Sequence, residues 1–318
     1  MSHQKTVAVT GADGFIGTAL SKHLEQRGFC VKRIVRSAKL QTGVIEVGDI
    51  NASTDWLEAL NGVHYVVHCA GRAHFFQENN NDAISKFRKV NVDGTLQLAK
   101  HAFECGVRRI IFLSSLGVLG DSFHSGDTEE CGKFKAPTWD YAKSKLEAEN
   151  KLKEFARSCT LEFTIVRPPL VYGPGVPGNF RRLLKLIDSG FPLPFAAFTS
   201  PRSMIALENL NTFLEECITN KRAEGETFFV SDGKDLSLAD ISTLISKVYY
   251  KRPRIFFVPL PLIKFASKLF GRERDFERLA NSLSVDIKPT LDLLNWKPHV
   301  SVEEGIQQTV EWYMRKQF

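Results

Sequence analysis

The amino-acid sequence predicts an α/β protein whose core is a doubly wound parallel sheet, with a smaller, mixed C-terminal lobe. Three observations predict it. Short β-branched runs alternate with longer amphipathic ones over the first 167 residues, a glycine-rich turn joins the first such pair, and turn-forming residues crowd the stretch after Arg167. Strands are expected at Thr6 to Thr10, Val31 to Val35, Val44 to Val47, Val63 to His68, Arg109 to Ser114 and Glu162 to Arg167. Helices are expected at Phe15 to Gln26, Asp55 to Leu60, Ala83 to Cys105 and Trp139 to Arg157, the last rich in Ala, Lys, Glu and Leu. Repeated strand–helix–strand units require right-handed crossovers and a sheet covered on both faces, which is a Rossmann-like core.

Pro168, Pro169, Gly173, Pro174, Gly175, Pro177 and Gly178 mark the crossing into the second lobe. Leu207 to Cys217 reads as a helix and Glu226 to Val230 as one more strand of the first sheet. The predicted division is therefore a Rossmann-like core over 1–167 with a return at about 205–232, and a lobe of 168–204 and 233–318. Ser237-Leu-Ala-Asp240 and Ser301-Val-Glu-Glu304 are capping-box starts for helices of that lobe.

Composition limits the partners. With 318 residues, 43% hydrophobic and 25% charged, the chain can bury a large core. Lys+Arg 42 against Asp+Glu 36 gives +6, and its arginines are scattered, which suits an anionic small molecule better than nucleic acid. The six cysteines form no cluster with metal-ligand spacing, so reduced thiols and no metal are expected. No secretory leader is apparent, and a cytoplasmic location is expected. Ile255 to Phe270 is interrupted by Pro259, Pro261, Lys264 and Lys268 and is too short to span a bilayer, so no stable membrane insertion is expected. An interfacial helix is one reading of it; a core-facing helix of the second lobe is the favoured one.

Gly11-Ala12-Asp13-Gly14-Phe15-Ile16-Gly17 follows the first strand and opens a helix. Glycines let backbone approach a pyrophosphate, and the helix N-terminus offers unpaired N–H groups and partial positive charge. The second strand ends at Val35-Arg36 with no carboxylate to accept from an adenosine ribose; Arg36, with Arg33 or Lys39 nearby, suits a 2′-phosphate instead. NADP(H) is therefore the preferred cofactor, with NAD(H) as the other. Asp49-Ile50 and Ala70-Gly71, after the third and fourth strands, are expected at adenine and ribose. Tyr141 and Lys145, four apart on a helix, share a face, and a lysine ammonium there would lower a phenol pKa and hold a ribose. Ser114 and Ser115 stand where open α/β sheets bind ligands.

Through Thr10 to Gly17, His68-Cys-Ala-Gly71, Asn91-Val-Asp-Gly-Thr95, Ser114-Ser115, Tyr141-x-x-x-Lys145 and Arg167-Pro-Pro-Leu-Val-Tyr-Gly-Pro174, the sequence resembles the extended short-chain dehydrogenase/reductases along nearly its whole length. The resemblance implies Ser115 on the reacting oxygen, Tyr141 as proton donor or acceptor, and Lys145 as its partner. Ser114, Asn91, Pro168 and Leu170 fall on the cofactor side. Within the family the sequence is most similar to bacterial reductases of UDP-4-keto-6-deoxy-N-acetylhexosamines, with O-antigen or other polysaccharide precursor synthesis as the setting and a homodimer as the expected assembly. Asn179, Arg202 and one of Arg272, Arg274 and Arg278, Arg274 foremost, are then expected at the UDP moiety, and His74 at the sugar. Ser203, where 4-epimerases more often carry Asp, and Arg36 both point towards reduction. The alternatives are a UDP-hexose or UDP-N-acetylhexosamine 4-epimerase with retained NAD, and a non-catalytic NADP(H)-sensing protein.

Overall fold

The computed structural model describes residues 4–38, 43–73, 83–120, 136–249 and 252–316. In chain order the first part comprises β1 (Thr6–Thr10), α1 (Phe15–Gln26), β2 (Cys30–Val35), β3 (Val44–Glu46), α2 (Leu57–Leu60), β4 (Tyr65–His68), α3 (Ala83–Arg88), α4 (Gly94–Glu104), β5 (Arg109–Leu113), α5 (Asp140–Arg157) and β6 (Glu162–Arg167). There follow β7 (Leu170–Tyr172), α6 (Gly178–Asp188), β8 (Met204–Ala206), α7 (Leu207–Thr219), β9 (Thr227–Phe229), α8 (Leu238–Val248), α9 (Leu260–Leu269), α10 (Glu273–Ala280), α11 (Lys288–Leu294) and α12 (Val302–Arg315).

Seven strands form one parallel sheet in the order β3-β2-β1-β4-β5-β6-β9. Strand side chains alternate between faces, and both faces are covered. Val7, Val9, Val67 and Ile111 pack with α1 and α7, while Ala8, Val66, Ile110 and Phe112 pack with α4 and α5. That is why these strands are nearly continuous in apolar residues. Further along the chain, α7 packs against α1 and β9 pairs with β6. Leu294 and Trp296, in the segment assigned to the C-terminal lobe, also pack in the first of these clusters.

Two departures from the sequence-based elements bear on the site. The helix expected over Ala83 to Cys105 is interrupted by a π turn at Lys89–Asp93, which inserts an extra residue per turn and re-aims Asn91. The stretch expected to be a core-facing helix, α9, has no buried residue, although Leu260 and Ile263 lean on a small cluster of Phe198, Leu238 and Phe276. Apolar periodicity reports a helix but not which of its faces finds a partner.

The second lobe is organised around the two-stranded sheet β7-β8, with Tyr172, Phe180, Leu184, Ile245, Ile306 and Val310 in its core. The helices α8 and α12 open with the predicted capping boxes, Ser237 with Asp240 and Ser301 with Glu304.

Candidate active site

The glycine turn lies at the C-terminal end of β1. Gly11 has φ +65°, and a Cβ there would stand 2.9 Å from the Cα of Ala70. A Cβ on Gly17 would lie 2.1 Å from the Gly11 carbonyl oxygen, so the first turn of α1 rests directly on the strand end. Gly14, the N-cap of α1, donates its N–H to the Gly11 carbonyl at 2.9 Å. The first turn carries no acidic residue and no side-chain cap, and Asp13 points to solvent. Unpaired N–H groups and the helix dipole are thus presented without a competing carboxylate. Phe15 has a second role, packing against the C-terminal lobe's cluster.

On α5, Tyr141, Lys145 and Glu149 recur every four residues and share one face. The Ser115 side chain hydrogen-bonds the Tyr141 phenol, and its Oγ also accepts from the Gly117 N–H at 3.1 Å. Lys145 Nζ donates to the Leu113 carbonyl at 2.8 Å and sits over the Phe112 ring. A Cβ on Gly71 would be 3.3 Å from both Lys145 Nζ and Asn91 Oδ1, a tight approach that glycine leaves unstrained. Asn91 accepts from the Arg72 N–H at 2.8 Å and donates to Ser144 Oγ at 2.9 Å, tying the strand-end loop to α5. Gly94, which follows the π turn, leaves room for the Ile50 side chain, 2.3 Å from where a Cβ would be.

Burial governs the electrostatics. Desolvation lowers Lys145 to about 8, opposed by nearby Cys69 and Glu149. Desolvation also pushes the Tyr141 phenol up to about 12, opposed by the Ser115 hydrogen bond. This corrects the expectation of a lowered phenol: with both groups taken from water, the penalty on tyrosinate is the larger effect. Burial, aided by Lys145, lowers His68 to about 3; this neutral ring bridges Thr10 at 2.7 Å and Thr95 at 3.1 Å.

The structure therefore brings together Gly11, Ala70, Gly71, Asn91, Ser115, Tyr141 and Lys145 at one sheet edge. It places others differently. The Ser114 hydroxyl is committed to Glu149 at 2.5 Å, within a buried ion pair of Glu149 with Arg167 at 2.7 Å. Arg36 is exposed, while Arg33, its suggested helper, pairs with Glu25. Asp49 is exposed and Ile50 packs into the core. Pro168 is buried, its carbonyl accepting from the Leu116 N–H at 2.8 Å, and Leu170 is exposed on β7. In the lobe, Asn179 is exposed in the first turn of α6, and Arg202 donates to the Asn281 carbonyl at 2.7 Å, with burial lowering its pKa. Ser203 donates to Asp235 and accepts from the Val285 N–H. His74 lies outside the described residues, as does the side chain of Arg274.

Two buried networks were not anticipated from the sequence. Glu149 was signalled only by the i+4 continuation of Tyr141 and Lys145. Asp232 accepts from Tyr172 at 2.7 Å, Asn209 at 2.7 Å and the Ala206 N–H at 2.9 Å, and no local pattern marked it.

A glycine turn that opens a helix thus stands beside a tyrosine–lysine–serine cluster at one edge of a parallel sheet. The chain belongs to the NAD dependent epimerase/dehydratase family, whose model matches residues 7–189. A Vibrio cholerae relative named UDP-glucose 4-epimerase is 39% identical, over 98% of this chain and 96% of its own length. An Escherichia coli O157:H7 relative named N-acetyl-alpha-D-glucosaminyl-diphospho-ditrans,octacis-undecaprenol 4-epimerase is 29% identical, over 80% of this chain and 76% of its own. Among solved structures, MoeE5 in complex with UDP-glucuronic acid and NAD matches with a TM-score of 0.79 at 22% identity, over 98% of this chain and 99% of that one, a likeness of fold.

Proposed function

We propose that this protein interconverts the C4 epimers of a UDP-hexose or UDP-N-acetylhexosamine, using a retained nicotinamide dinucleotide. The observation that carries the reading is the Ser115, Tyr141 and Lys145 cluster, set beside the glycine turn in a chain 39% identical to a UDP-glucose 4-epimerase. The positive φ of Gly11 and the uncapped, acid-free start of α1 fit a diphosphate, and Gly71 carries no side chain beside Lys145 Nζ, the proposed ribose ligand. The residues that would hold the cofactor are therefore Gly11, Gly14, Gly17, Gly71 and Lys145.

When bound, the dinucleotide supplies a hydride acceptor and donor at C4 of the sugar. Tyr141 takes the proton of the C4 hydroxyl and returns it after the sugar has presented its other face. Ser115, already hydrogen-bonded to the phenol, holds the reacting oxygen in line with it. The ammonium of Lys145, one helical turn from Tyr141 on the same face, favours the tyrosinate when it forms. Asn179, Arg202 and Arg274 remain the proposed holders of the UDP moiety, with Arg202 offering a guanidinium to the diphosphate.

A second reading, reduction of a UDP-4-keto-6-deoxy-N-acetylhexosamine by NADPH, is favoured by one observation: the residue that follows β2 is the exposed Arg36 rather than a carboxylate. Cofactor consumption separates the two. The protein as purified should convert UDP-glucose or UDP-N-acetylglucosamine to its C4 epimer without added reductant, followed by NMR of the product. Tyr141→Phe should lower kcat by roughly 10²- to 10⁴-fold while dinucleotide affinity holds. Stoichiometric NADPH oxidation with the 4-keto sugar, and no epimer formation, would transfer the assignment to the reductase.

A further inference from the structure

Residues 251–272 contain six Lys or Arg and no Asp or Glu, against 42 and 36 in the whole chain, so the remaining residues carry 36 of each sign. The entire net charge of +6 is thus equalled by one 22-residue segment. The same segment holds α9, which is apolar on two sides. Leu260 and Ile263 lean on the lobe, while Leu262, Phe265, Ala266 and Leu269, spaced three and four apart, form a second stripe facing solvent. Leu262 is 60% exposed, Phe265 64% and Leu269 70%, and Phe270 just beyond the helix is 79% exposed. Lys264, 4.0 Å from Glu273 of α10, and Lys268 lie one turn apart on the flank of that stripe, and Arg252, Arg272 and Arg254, which also donates to the Gly190 carbonyl at 3.0 Å, are exposed in the same segment.

We propose that the outer face of α9 docks the protein onto an anionic lipid bilayer, lying in the interface without crossing it. Among the described residues no helix is long and apolar enough to cross a membrane. An apolar stripe that can enter the acyl boundary, edged by lysines that reach phosphate headgroups, is the arrangement of an interfacial helix. A cationic segment on an otherwise charge-balanced protein selects an anionic surface over a neutral one. The inference concerns a face distinct from the Tyr141 site and does not depend on which sugar reaction is catalysed.

The test is sedimentation of the full chain with phosphatidylcholine vesicles, with and without about one-third phosphatidylglycerol. Binding to the anionic vesicles alone, weakening as salt is raised, is expected. Lys264→Gln with Lys268→Gln should lower the partition coefficient roughly tenfold, and Leu262→Ser with Phe265→Ser and Leu269→Ser should abolish binding, each with unchanged circular dichroism. The wild-type salt and lipid dependence stands as a test even where a variant misfolds. No binding to anionic vesicles, or equal binding to neutral ones, overturns the proposal. So does a concentration-dependent dimer in sedimentation velocity that the triple serine change dissolves, because the stripe is then a contact between copies.

Discussion

A buried carboxylate, Glu149, and a half-buried one, Asp232, do comparable work in the two halves of the molecule, by different means. Behind the candidate site, Glu149 is neutralised by Arg167 at 2.7 Å and also accepts from Ser114, so α5 is clamped to β6 by charge. Where the lobes meet, Asp232 is held by neutral donors, the Tyr172 hydroxyl, the Asn209 amide and the Ala206 N–H, and burial pushes its pKa up. The helix that carries Tyr141 and Lys145 is thus fixed by an ion pair that cannot lose one member cheaply. The junction of β7, β8 and α7 is fixed by hydrogen bonds that tolerate exchange of a carboxylate for an amide.

The contrast can be broken in order of expected effect. Glu149→Gln leaves the Arg167 guanidinium buried without its counter-charge and should cost about 3 to 5 kcal/mol in urea unfolding at neutral pH. A loss under about 1 kcal/mol would show that the pair is not the clamp. Next, the double change Glu149→Leu with Arg167→Met should cost less than Glu149→Gln alone, since it removes both buried charges together. Simple additivity of the single changes would contradict the pairing.

Asp232→Asn should have the smallest effect, about 1 kcal/mol, because the amide oxygen still accepts while the Tyr172 hydroxyl can turn to the Val302 carbonyl at 3.4 Å. Its pH dependence sharpens the comparison. The folded carboxyl binds its proton at a higher pH than the unfolded one, so wild-type stability relative to this variant should rise as pH falls from neutrality towards the ordinary value of 3.8. A stability difference independent of pH would mean that burial does not perturb Asp232.

Legibility differed between the halves for the same reason that the clamps differ. The glycine turn, Ser115, Tyr141 and Lys145 each sit at a strand end or on one helix face, where a spacing of three or four residues is also a spatial relation. Asp232 meets partners 23 and 60 residues away, and Ser203 meets Asp235 and Val285, so no local period announces them. Resemblance implies Ser114 on the cofactor side; its hydroxyl is turned inward to Glu149, 35 residues away. The lobe residues Asn179 and Arg202 were placed by resemblance alone. The structure puts one in solvent and ties the other to the Asn281 carbonyl.

The sequence by itself determined the parallel sheet, the phosphate-type turn and the tyrosine–lysine pair, because strand alternation, helix periodicity and glycine backbone freedom are local properties of the chain. Only the tertiary structure decided the rest. The π turn aims Asn91 at the loop after β4, burial sets Tyr141 and Lys145 on opposite sides of their ordinary pKa values, and α9 is left with an apolar face uncovered. Each depends on what distant segments bring against a residue, and desolvation and packing have no counterpart in the spacing of letters.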